Sequence, residues 1–243
     1  MLGTGLENLL AFASAALGAL LATRFHFSHR QLCALISFAA GTLFGAAVFH
    51  IIPEGLKYFS VIATLLTLLS GYGLFYLVSR YISHVCPACS ASHFEEHEKE
   101  DHRDASLYLL AGALTLHCII DGLAIALGEP EKNSLPIFAT VLIHKFPEGF
   151  ALCALLIHGG QPKRRAVWLS VALESVTLAG WLLGVVLLQR FYDAAWMDLI
   201  LIHTGGGFIF LALHALINES RKHSPVLPAA SFIAGAVLIA FIH

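Results

Sequence analysis

Thr140-Val-Leu-Ile-His144-Lys-Phe-Pro-Glu148-Gly-Phe-Ala-Leu-Cys153 sets an imidazole, an ammonium and a carboxylate inside an apolar run. The run extends over roughly 134–157, the length a helix needs to cross a bilayer. An ionisable side chain in hydrocarbon is expensive, so it is a functional-site hypothesis by default. His144 and Glu148 are four residues apart and share one face of a helix. The spacing recurs at His117-Cys-Ile-Ile-Asp121-Gly122 and at His50-Ile-Ile-Pro-Glu54-Gly55. Imidazole and carboxylate are both metal ligands.

Working outward, the 243 residues are 58% hydrophobic and 12% charged, with mean hydropathy +0.77. A soluble domain exposes far more charge. The expected fold is an all-α polytopic membrane protein, a single transmembrane domain over 1–243. Eight apolar runs can be drawn, roughly 5–23, 32–52, 60–79, 106–127, 134–157, 166–189, 196–216 and 226–242. The first has no basic leader or small-residue cleavage site, so it reads as a true span. Eight spans place both termini on one side. One set of loops carries Arg24, Arg30, Arg80, Lys99, Arg103, Lys163, Arg164, Arg165, Arg221 and Lys222, the other only Lys57, Lys132 and Arg190. The positive-inside rule then sets both termini outside the cytoplasm. The compact chain suits a bacterial inner membrane.

The longest connection, 80–105, is polar and acidic and carries His84, Cys86, Cys89, His93, His97 and His102. On this topology it is cytoplasmic, and such a segment can bind transition metals loosely. A solvated linker with incidental histidines is the plainer reading. A single Cys86-Pro-Ala-Cys89 is a weak metal or redox signal without a second copy.

The second and third copies of the pattern fall in spans four and five. The short connection 128–133 predicts antiparallel neighbours, with His117, Asp121, His144 and Glu148 converging at similar depth. Mixed nitrogen and oxygen ligation suits Zn, Fe, Mn, Co or Cd, and not Ca or Mg. A lone membrane histidine commonly just hydrogen-bonds to a neighbouring helix. Two matched patterns in consecutive spans go beyond that. Pro147 cannot donate to the Ile143 carbonyl, which predicts a kink beside His144. Glu174 is a third intramembrane carboxylate. Lys145 needs a carboxylate partner, and Glu148, Asp121 and Glu174 are candidates. A fixed cation there would stand in for a second metal ion.

These residues resemble the ZIP (Zrt/Irt-like protein) family of divalent-metal transporters. The likeness rests on the span four and five motifs, the His-rich loop, His50 to Glu54, and the span-seven run from Gly205 through His214 to Glu219. The resemblance implies a main transport site at His117, Asp121, His144 and Glu148, with Glu174 as a further ligand. It puts second-site ligands at Cys118, Lys145 and Glu174, and a charged Lys145 cannot ligate, so one metal is expected where many relatives hold two. It also implies an elevator-like cycle, spans one, four, five and six moving against two, three, seven and eight, and a homodimer through the latter group. His50 with Glu54 and His214 with Glu219 occupy mirrored places, as an inverted repeat would leave them. They read equally as entrance and exit ligands or as interfacial anchors.

The expected function is transport of a divalent metal, zinc first, with iron, manganese or cadmium possible, toward the cytosol. The expected partners are the metal ion and the lipid bilayer, with no resident cofactor and no nucleic acid. An intramembrane metal-dependent hydrolase is the alternative, but the zincin pattern is absent and Lys145 sits where a base would help. A metal sensor without flux is a third class. It lacks a soluble signalling domain.

Overall fold

A computed structural model describes residues 2–25, 28–82, 103–127, 134–158, 160–190, 194–222 and 225–242. It is helical throughout, with no strand among the described residues. The helices are α1 (Leu2–Ala22), α2 (His29–Ala46), α3 (Ile52–Tyr58), α4 (Val61–Ile82), α5 (Arg103–Leu127), α6 (Ser134–His158), α7 (Lys163–Glu174), α8 (Val176–Arg190), α9 (Ala194–Lys222) and α10 (Val226–Ala240). Six stretches are long and apolar enough to cross a membrane: Gly3–Ala22, Arg30–Tyr58, Val61–Arg80, Leu135–Ile157, Lys163–Leu187 and Asp198–Ser220. Two shorter apolar helices, Leu114–Leu127 and Val226–Ala240, stand where the sequence predicts spans four and eight. At 1.5 Å per residue, α10 with its 15 residues reaches only about 22 Å, short of a hydrocarbon core of about 30 Å.

Two predicted spans are interrupted. Between α2 and α3 the chain widens into a π-helical turn, Ala47–Ile51, and the Ile52 N–H reaches back to the Ala47 carbonyl. Pro53 lacks an N–H and its ring crowds the preceding turn, which a wider turn relieves. Predicted span six is two helices meeting at Ser175, whose hydroxyl bonds the Ala172 carbonyl at 2.7 Å. Glu174 ends the first of them. By contrast, α6 runs without interruption through Pro147.

Ends are closed by recognisable devices. Ser28 and Gln31 form a reciprocal capping box at the start of α2. After α6, Gly160 takes φ +88°, a left-handed conformation that glycine adopts without steric cost, and Gln161 N–H bonds the Leu156 carbonyl at 3.0 Å. Lys163 Nζ donates to the Thr23 carbonyl at 2.9 Å, neutralising the end of α1.

Glycines decide which helices lie closest. A Cβ on Gly149 would strike the Ala15 backbone of α1, and one on Gly122 the Thr177 and Trp181 backbone of α8. Gly41 of α2 lies against Phe232 of α10, and Gly206 of α9 against Leu68 of α4. Small residues let membrane helices approach to backbone contact, where dispersion is strongest. Among the described residues, every glycine that makes room for another helix does so within one of two groups: α1, α5, α6, α7 and α8, or α2, α3, α4, α9 and α10. The seam between the groups runs between α2 and α6, where Thr140 Oγ1 donates to the Thr42 carbonyl at 3.5 Å. The expected adjacency of spans four and five is present, but it is not the main contact of either helix. α5 packs along α8 and α6 along α1, and the contact between α5 and α6 is smaller and includes the site.

Candidate metal centre

His117 and Asp121 project from one face of α5, and His144 and Glu148 from one face of α6, as the four-residue spacing dictates. Each can offer one ligand atom such that the four atoms lie within 4.8 Å of one another, and all four residues are buried. His117 Nε2 stands 3.4 Å from Asp121 Oδ2 and 3.3 Å from Glu148 Oε1. His144 Nε2 stands 3.1 Å from the same Asp121 oxygen.

The His144 Nδ1–H donates to the Thr140 carbonyl at 2.8 Å, one turn back on α6. In the neutral ring this bond leaves the lone pair on Nε2, the form that ligates metal. His144 Nε2 and Asp121 Oδ2 stand 3.1 Å apart, a contact that a shared proton or a bound cation holds together. Asp121 Oδ1 and Glu148 Oε1 accept no hydrogen bond although buried, and a bound cation would satisfy them.

Lys145 stands beside this set with no exposed surface. Its Nζ lies 2.7 Å from Glu148 Oε2, 3.0 Å from Glu174 Oε2, 3.0 Å from Asp121 Oδ2 and 3.2 Å from Cys118 Sγ. All three candidate partners named from sequence thus contact it at once. Cys118, Glu148 and Glu174 can also bring ligand atoms within 4.8 Å of one another, but the ammonium lies among them. Glu174 belongs to that set and not to the one with the imidazoles. With the three acids ionised and the imidazoles neutral, the cluster carries a formal charge of −2, which one divalent cation neutralises.

The other predicted residues lie apart. The His50 Nε2–H donates to the Ile239 carbonyl of α10 at 2.9 Å, and Glu54 pairs with Lys57 at 2.6 Å. His214 stacks on Phe210 at 5.4 Å between centroids, and Glu219 is buried. Cys86, Cys89, His93, His97 and His102 lie outside the described residues. Sequence reasoning missed Phe208, a buried α9 ring 6.5 Å from the His144 ring and steeply inclined to it. Nothing in its apolar surroundings distinguishes it from core. The tautomer-setting Thr140 carbonyl was findable, since it is one helical turn before His144.

Two imidazoles and two carboxylates buried among membrane-crossing helices define a membrane protein that handles metal ions. Comparison with known proteins agrees: the sequence model of the ZIP zinc transporter family matches residues 6–243, and the chain belongs to that family of divalent-metal transporters. An uncharacterized protein of Methanocaldococcus jannaschii is 26% identical over 185 residues, covering 75% of this chain and 74% of that one. The zinc transporter zipt-7.2 of Caenorhabditis elegans is 32% identical over 125 residues, covering 48% of this chain and 26% of that protein.

Proposed function

We propose that this chain carries one divalent transition metal, zinc in preference to iron, manganese or cadmium, across a bacterial inner membrane toward the cytosol. The observation that carries the reading is the buried convergence of His117, Asp121, His144 and Glu148, ligand atoms within 4.8 Å, with no solvent to stabilise the acids. Four ligands of mixed nitrogen and oxygen type match zinc better than hard cations. Lys145 at the second-site position supports a single-metal centre.

The segregation of glycine contacts into two helix groups supports rigid movement of one group against the other. These are the groups an elevator cycle requires, with α1, α5, α6, α7 and α8 carrying the ion. α5 and α10 complete eight spans, with both termini outside, the 80–105 connection in the cytoplasm as a loose metal buffer, and the chain a single domain that pairs as a homodimer. The bonds of His50 to Ile239 and of Glu54 to Lys57 support an anchoring role for that pair at the outer face. His214 and Glu219 serve the inner face.

The test is uptake of labelled zinc, iron, manganese and cadmium into proteoliposomes, with bound metal counted on the same preparation. His144→Ala and Glu148→Ala should each abolish zinc uptake while leaving folded protein in the membrane. Persistent uptake would mean the ion passes elsewhere.

A further inference from the structure

The residue left without a task by this reading is Glu174. It is fully buried at the break between α7 and α8, where the helix stops and restarts around Ser175. Its Oε2 takes the Lys145 ammonium at 3.0 Å and the Cys118 thiol at 3.6 Å. The four-residue ligand set does not include it. Lys145, meanwhile, touches Asp121 and Glu148, the two acids the metal needs. An ammonium and a divalent ion therefore compete for the same pair of carboxylates. In a low-dielectric site that competition is strong, because each contact is worth far more than in water.

We infer that Glu174 is a positioning residue for metal capture: it draws the Lys145 ammonium toward itself and Cys118, leaving Glu148 Oε1 and Asp121 Oδ1 open to the ion. Glu148 divides its oxygens by this plan, while Asp121 Oδ2 is shared by the ammonium and both imidazoles. Glu148 turns Oε2 to the ammonium and Oε1 to His117, and Asp121 Oδ1 accepts no hydrogen bond. Cys118 completes the holder, donating its S–H to Glu174 and accepting from Lys145 at 3.2 Å. Without the Glu174 charge, the ammonium has only Asp121 and Glu148 to neutralise it, and it draws onto them. The site then carries −1 instead of −2, and the metal must displace a more tightly held lysine.

This inference rests on the assignment of the metal site above, and the experiment separates the two. Glu174→Gln, Lys145→Met and the double variant are reconstituted, and zinc uptake and zinc affinity are measured. Glu174→Gln should weaken zinc affinity on the order of tenfold, raising the half-saturating concentration more than it lowers the maximal rate. The double variant removes both charges, restores −2, and should return affinity close to that of the unaltered protein. Cobalt bound at saturation should give the same visible spectrum in Glu174→Gln as in the unaltered protein, because no ligand has changed.

Unchanged affinity in Glu174→Gln, or a double variant as weak as the single, overturns the inference. So does a shifted cobalt spectrum, which would make Glu174 a ligand. If Glu174→Gln does not fold, the double variant decides, since it leaves no unpaired buried ammonium; weak affinity there again overturns the inference. His144→Ala run alongside reports on the site itself: retained zinc uptake in that variant indicts the site assignment, whatever the Glu174 series shows.

Discussion

Removing the Lys145 ammonium leaves three buried carboxylates facing one another with no cation between them. Breaking a buried ion pair by deleting one partner costs about 3–5 kcal/mol. Lys145→Met should therefore lower the melting temperature of the metal-free protein, and saturating zinc should recover more of it than in the unaltered chain, since binding stabilises by mass action. A thermal shift assay with and without zinc reads this directly. Lys145→Asp goes further, replacing the resident cation by a ligand. Its bound zinc should rise from one ion per chain to two by elemental analysis, and an unchanged count would remove Lys145 from the second-site position. The ligand types and their helical spacing were legible in the sequence at this scale. The partners of Lys145 were legible only as alternatives, because three acids on three helices competed for one ammonium and their convergence is a property of the bundle.

At the scale of the element, glycine placement does what hydrophobic pattern cannot. Gly122 lets α5 meet the α8 backbone around Thr177 and Trp181. Gly122→Leu should push α5 off α8 and cost on the order of 1–3 kcal/mol or more, seen as loss of monodisperse protein in detergent and of zinc uptake together. At Gly73 of α4 a Cβ would meet nothing within 4 Å, so Gly73→Ala should leave folding intact and stabilise by about 0.5–1 kcal/mol in a melting curve. The interruptions follow a related logic. Pro53 and Pro147 look alike in sequence, each three residues after a histidine. Yet only the first lies beside a π turn, and the second is accommodated within a continuous helix. A proline's local effect depends on what the freed carbonyl finds around it, which the residues nearby in sequence do not specify.

On the scale of the whole molecule, the two helix groups share a seam without glycine contacts among the described residues. If one group slides against the other, fixing the seam should stop transport. With other cysteines replaced, Thr42→Cys and Thr140→Cys joined across the seam should arrest zinc uptake, and reduction should restore it. Phe44→Cys and Phe232→Cys, joined within one group where the rings stand 5.4 Å apart, should leave uptake running. Equal effects of the two cross-links would rule against sliding.

The sequence alone determined the solvent, the helical class, the ligand chemistry and the family likeness. Each depends on residue type and short-range spacing: apolar length sets a span, and a four-residue interval sets a face. Tertiary structure decided which helices lie together, that α5 packs chiefly on α8 and α6 on α1, and that span six breaks beside Glu174. It also decided that the ammonium of Lys145 is shared by Asp121, Glu148 and Glu174. Those outcomes depend on contacts between residues far apart in the chain, where close packing selects among partners that local pattern leaves equivalent.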